Sequence, residues 1–146
     1  MPKKVEKTPE EKKEKHIFTS GKRKRAVARA VLKKGKGIIK INSKSLENIE
    51  NEIVRMKIME PLLIVGEKSK TYDISVNVKG GGIMAQADAA RLAIGKGLSQ
   101  SLGSEIKKKL LDYDRNLLVS DMRRTEPHKP PHSSWGARRY KQRSKR

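Results

Sequence analysis

The sequence has no cysteine in its 146 residues, so disulfides, thiolate nucleophiles and thiolate zinc sites are all excluded. Aromatic side chains make up only 3% of the chain, and they are Phe18, Tyr72, Tyr113, Trp135 and Tyr140. No aromatic sheet motif of the RNP type occurs, so base stacking is expected to be minor and backbone contact dominant in any nucleic-acid complex. No apolar run approaches the ~20 residues of a membrane span, and Met1-Pro2-Lys3-Lys4 opens no signal-peptide core, so a soluble intracellular chain is expected. The most telling absence is of acid: residues 16–46 hold ten Lys or Arg and no Asp or Glu.

What is present is positive charge, distributed unevenly. The chain has 36 basic and 16 acidic side chains, a formal net charge of +20. Residues 1–15 carry +2 and residues 47–114 are neutral, so the excess lies in residues 16–46 and in residues 115–146, which carry +8. A merely solvated surface mixes both signs along the chain. Two basic blocks around a neutral middle instead point to a nucleic-acid partner, with an anionic membrane or acidic protein as the other polyanions. A DNA-architectural protein is the rival nucleic-acid class, but no apolar wedge for bending DNA stands out.

The length suits one domain with chain left over. Residues 1–16 read as a disordered Lys/Glu-rich arm, in which Val5 is the single strong hydrophobe before the domain begins. Residues 17–119 read as the folded domain and residues 120–146 as an extended basic tail, since Pro127, Pro130, Pro131 and Gly136 break any regular element. Ala26, Ala28, Ala30 and Leu32 alternate with Val27, Arg29 and Val31, and the glycine-containing stretch 33–37 then leads to Ile38-Ile39-Lys40-Ile41. These two runs predict a β-hairpin. Asn42-Ser43-Lys44-Ser45 offers helix caps ahead of a helix packing through Ile49, Ile53, Met56 and Met59, which Pro61 is expected to bend or restart. Tyr72, Ile74, Val76 and Val78 share one face of a half-buried strand. An Ala-rich helix follows over 84–102, weakened by Gly95 and Gly97, and a second starts near Ser104 with Ile106, Leu110 and Leu111 inward.

Chemistry-bearing motifs are few. Gly80-Gly81-Gly82-Ile83-Met84-Ala85 fits the G-x-G-x-x-A spacing of a dinucleotide fingerprint. Against it, the preceding strand alternates polar and apolar, and no second strand follows to present an acidic residue. A glycine turn that brings backbone amides to phosphate fits better. Gly95-Lys96-Gly97 lacks the Ser or Thr of a P-loop, and the prolines between His128 and His132 prevent helical convergence on zinc. No nucleophile–base pattern emerges, so no enzyme, metal, cofactor or small-molecule substrate is expected. Lys22, Arg23, Lys24 and Arg25 are consecutive and splay to both sides of a strand or turn, with Arg29 continuing one face.

Several motifs together resemble the small-subunit ribosomal protein nine family. They are T-S-G-K-R-K-R-A-V-A-R-A at 19–30, V-K-G-G-G at 78–82, A-x-x-x-R-x-A-I at 87–94, L-L-D-Y-D-R-N-L-L-V-S-D-M-R-R-T-E-P at 110–127 and the terminal S-K-R. The 114–127 stretch resembles the archaeal and eukaryotic branch. The resemblance implies an α+β fold: a mixed β-sheet with helices on one face, similar to ribosomal protein five domain two, with a left-handed β-α-β crossover and a long basic C-terminal tail. It implies a structural role in the head of the small subunit, in the cytoplasm, on the 3′ major domain of its rRNA, beside other head proteins. Taken with the basic blocks, it places rRNA contacts at Lys22, Arg23, Lys24, Arg25, Arg29, Lys33, Lys34, Lys79, Gly80, Gly81, Gly82, Arg91, Arg123, Arg124, Lys129, Arg138 and Arg139. It places contacts to the P-site tRNA anticodon stem-loop at Arg143, Ser144, Lys145 and Arg146. Bacterial members typically carry Phe where this chain has Arg143, which exchanges an aromatic ring for a phosphate-directed charge.

Overall fold

The computed structural model describes residues 16–125 and Pro127; the expected arm up to Lys15 and most of the expected tail lie outside the described residues. Five strands, β1 (Ile17–Arg23), β2 (Ala26–Lys34), β3 (Ile39–Ile41), β4 (Lys44–Ser45) and β5 (Tyr72–Lys79), form one sheet. Three helices, α1 (Glu52–Val65), α2 (Ile83–Leu102) and α3 (Ser104–Tyr113), complete the α+β arrangement. Short 3-10 turns lie at Leu46–Asn48, Gly66–Thr71 and Arg115–Leu117.

The strand order is β1-β2-β5-β3-β4. β1/β2, β2/β5 and β3/β4 pair antiparallel, while β3 and β5 run parallel and make the sheet mixed. The hairpin expected across residues 33–37 does not form, because β5 inserts between β2 and β3. β5 meets β2 over the full register from Val27↔Lys79 to Lys34↔Tyr72, a longer ladder than three-residue β3 can offer. A hairpin does join β1 to β2, turning at Lys24-Arg25. Asn42 and Ser43, expected as helix caps, instead turn β3 into β4 with φ of 47° and 70°. Asn in a two-residue hairpin loop tolerates this left-handed backbone. Its side chain then extends the sheet, donating to Val78 O at 3.2 Å and accepting from Val78 N at 2.7 Å.

Strand parity sets the core. Ala26, Ala28, Ala30 and Leu32 of β2 and Ile74, Val76 and Val78 of β5 are buried beneath the helices. Small residues dominate this seam: α2 brings Ala85, Ala87, Ala89, Ala90 and Ala93 to the same core. The contact is closest at Gly21 of β1, where an added Cβ would lie 2.1 Å from Ala89 O and 2.8 Å from Ala93 N. The neighbouring Thr19 hydroxyl donates to Ala93 O at 2.8 Å. Gly97, expected to weaken α2, sits against Leu32, which an added Cβ would strike at 2.3 Å. The helix runs on unbroken to Leu102 because packing at this glycine outweighs its low propensity.

α1 buries Val54, Ile58, Pro61, Leu62 and Val65, with Asn51 capping its start by accepting from Val54 N at 3.3 Å. The stripe expected to face the core is turned outward: Ile53 is 61% and Met56 59% exposed. The helix also passes through Pro61 without interruption, its ring buried. In α3, Ile106 and Leu110 are buried, whereas Leu111 is exposed.

Candidate nucleic-acid interface

α2 packs across β1, β2 and β5 with α1 and α3 against it, and among the described residues the opposite face of the sheet is uncovered. Cross-strand register arranges that face in rows. Lys22, Val27 and Lys79 form one; Ser20, Arg29 and Asn77 the next; Phe18, Val31, Ser75 and Lys40 the third. Lys22, Arg29, Lys79 and Lys40 are exposed. Asp73 is the only carboxylate on any of the five strands. Its charge is directed into the loop after β2, accepting from Lys36 N and Ile38 N at 2.8 Å each. The Ile38 amide, more than the other donors, holds the Asp73 pKa below its usual value.

One end of this face unites segments far apart in sequence. The turn after β5 folds against the β1/β2 hairpin tip: an added Cβ on Gly80 would meet Arg25 O at 2.7 Å, and one on Gly81 would meet Ala26 N at 2.9 Å. Both glycines have positive φ, 76° and 67°, which the close approach requires. Lys24 adopts φ 52° in a tip where glycine or asparagine would be relaxed. Exposed Lys24 and Arg25 at the hairpin tip and Lys79 at the end of β5 thus adjoin the Gly80–Gly82 turn, which leads into α2, whose Gly82 cap offers the first-turn amides no side-chain acceptor. A glycine turn into a helix start, with cations on the adjoining segments, suits phosphate.

The other predicted contacts divide. Lys33 and Lys34 are exposed at the far end of β2. Arg124 is exposed, and Arg123 is exposed but held bidentate by Asp121. Arg23 and Arg91 point into the helical layer. Arg23 Nη1 faces Asp121 at 3.0 Å, a charge contact without hydrogen-bond alignment, and its Nε lies 3.9 Å from Asp88. Arg91 donates to Asp114 at 2.7 Å and pairs with Glu60, tying α1, α2 and the 115–117 turn together. Odd-numbered β1 positions face the helices, which is why Arg23 leaves the side that Lys22 occupies. Lys129, Arg138, Arg139, Arg143, Ser144, Lys145 and Arg146 lie outside the described residues. Lys40 was missed by sequence reasoning, although its alternation with Ile39 and Ile41 signalled an outward position.

Asp121 faces both Arg23 and Arg123. The Arg123 side chain first, then its backbone amide, lowers the Asp121 carboxyl to about 2. A depressed carboxylate contributes stability that is complete above its unfolded pKa, near 3.9, and lost as pH falls through the folded value. Asp73 has the same sign. Acid titration of the thermal midpoint should therefore show a loss between about pH 4 and pH 2. Asp121→Asn should flatten that loss, and an unchanged acid limb would show that the pairing contributes nothing.

Residues 21–146 match the family described as ribosomal protein S9/S16. Small ribosomal subunit protein uS9 of Methanococcus maripaludis strain C7 is 51% identical over 131 residues, covering 89% of this chain and 98% of that protein. The protein of the same name from Methanococcus vannielii is 50% identical over 131 residues, with the same coverage of 89% and 98%. That of Desulfurococcus amylolyticus is 49% identical over 134 residues, covering 89% of this chain and 92% of its own. These relatives agree with the archaeal side of the resemblance. With a match across most of its length and about half of the aligned residues identical, the chain belongs to the ribosomal protein S9/S16 family.

Proposed function

We propose that this chain is a structural, non-catalytic protein of the small ribosomal subunit that binds rRNA through its open sheet face. The observation that carries the reading is the placement of Lys22, Arg29 and Lys79 on the open side of the sheet, with exposed Lys24 and Arg25 at the hairpin tip that packs against the Gly80–Gly81 turn. Family membership supports the ribosomal setting, in the cytoplasm. Arg23 and Arg91 serve this reading by pairing with carboxylates of the layer behind the face, Lys33 extends the charge of the face itself, and exposed Lys34, Arg123 and Arg124 offer further rRNA contacts beyond it. The apolar outer side of α1, with Ile53, Met56 and Leu63 exposed, suits a protein neighbour better than a phosphate backbone.

The finer placement follows the resemblance. The domain sits on the 3′ major domain of the rRNA in the subunit head, and the β3–α1–β5 crossover is left-handed as in ribosomal protein five domain two. Lys129, Arg138 and Arg139 contact rRNA, and Arg143, Ser144, Lys145 and Arg146 contact the anticodon stem-loop of P-site tRNA. With about ten phosphates neutralised, affinity for small-subunit rRNA should fall with salt at a log–log slope on the order of −7 to −9. A salt titration with an equal-length DNA duplex as competitor tests this; equal preference for the duplex would favour the DNA-architectural class. Removal of residues 144–146 should leave subunit assembly intact and weaken tRNA retention in the P site. Unchanged retention, measured by filter binding of tRNA to reconstituted subunits, would remove the tail from the proposal.

A further inference from the structure

The outer edge of β1 carries a feature that phosphate binding does not use. Phe18 is the chain's only phenylalanine and is 72% exposed, on the same open face as Arg29 and Lys22. Phe18 lines a groove of about 570 Å³ between β1, the second half of α2 and α3, with Ser20, Lys96, Ser99, Gln100 and Lys107 in its walls and no carboxylate among its lining residues. Lys96 Nζ donates to Ser20 O at 3.3 Å, which leaves it further donors for a ligand. Cations, hydroxyls and an amide beside an exposed ring match the needs of one ligand class. An unstacked base presents a π face to the ring and polar edges to Ser and Gln, and its phosphate answers lysine.

We propose that this groove holds a single unpaired nucleotide of the RNA, its base stacked on Phe18 and its phosphate held by Lys96 and Lys107. The proposal rests on the rRNA reading above and names what that RNA must offer there: a bulged or looped residue. An A-form duplex keeps its bases stacked inside and gives a phenyl ring nothing to cover. Other segments of this chain are poor occupants, since residues 1–15 offer only Val5 as a strong hydrophobe and the basic tail would be repelled by the two lysines. The low aromatic content therefore limits the number of stacking sites to very few without excluding one.

The test uses the full chain and a transcript of the 3′ major domain, beside a fully paired RNA duplex. Phe18→Leu keeps apolar area but loses the π face; it should weaken transcript binding about tenfold, leave duplex binding unchanged and preserve the salt slope. Lys96→Gln should instead flatten the slope by about 0.7–0.9. Phe18→Trp, made with Trp135→Phe so that position 18 holds the sole indole, should bind like the unaltered chain and lose fluorescence on adding transcript. Wild-type affinity in Phe18→Leu, or an unquenched indole, overturns the proposal. Failure of the unaltered chain to bind the transcript overturns this proposal and the rRNA reading together; an indifferent Leu variant overturns this one alone.

Discussion

Exchanging Lys22, Arg29 and Lys79 together for glutamine should lower affinity for small-subunit rRNA roughly a hundredfold at 0.15 M salt while leaving the fold intact. The three side chains come from three strands, and the register Lys22↔Val27↔Lys79 with the adjacent Ser20↔Arg29 row makes them neighbours on the open face. Each contact released from phosphate should flatten the log–log salt dependence by about 0.7–0.9, so the triple variant should be shallower by about 2–3. The same slope change, read from 1 M down to 0.15 M, gives the hundredfold loss. None of the three side chains is buried or forms a salt bridge within the described residues, so thermal unfolding should be nearly unchanged. As a contrast, Arg23→Gln and Arg91→Gln should lower stability through the helical layer, with little change of salt slope. The reverse pattern would mean that RNA engages the helical side.

Gly21→Ala should cost about 3 kcal/mol and lower the melting midpoint by on the order of 15 °C. The added carbon would lie 2.1 Å from Ala89 O and 2.8 Å from Ala93 N, both backbone atoms of α2. No rotamer change relieves such an overlap, so α2 must lift away from β1 or β1 must leave the sheet. Either movement opens the seam of Ala26, Ala28 and Ala30 against the helix alanines and breaks the bond from Thr19 to Ala93 O. Against a typical total of about 5–15 kcal/mol the loss is large. Gly82→Ser is the matched control: nothing lies within 4 Å of its added carbon, and a serine at this cap should gain a few tenths of a kcal/mol. Chemical denaturation of both variants checks the pair, and a Gly21→Ala protein as stable as its parent would show that the seam is looser than these distances state.

The charge blocks, the parity of β2 and β5 and the existence of α2 and α3 were all legible in the sequence, because each is a local property. An alternating strand assigns its own faces, and Arg29 lies outside because Ala28 and Ala30 lie inside. Likewise the excess of +10 over residues 16–46 needs no fold to be counted, and it already indicated a polyanion. Family motifs then narrowed that partner further than composition could.

Three matters were decided only in three dimensions. α1 is apolar on two neighbouring stripes, so periodicity alone could not choose between Val54-Ile58-Leu62 and Ile53-Met56-Met59; packing against the rest of the core chose the first. The roles of the arginines depended on partners distant in sequence. Arg23 meets Asp88 and Asp121, and Arg91 meets Glu60 and Asp114, so two cations expected at phosphate are paired with carboxylates on the helical side of the sheet. Finally, β5 enters between β2 and β3, which brings Lys79 and Gly80–Gly82 against the hairpin tip at Lys24-Arg25. Sequence could state how much positive charge this protein carries, since that is a sum over residues. Where the charge converges depends on strand order, which is set by the longest ladder and the best-packed seam and is invisible until the chain has folded.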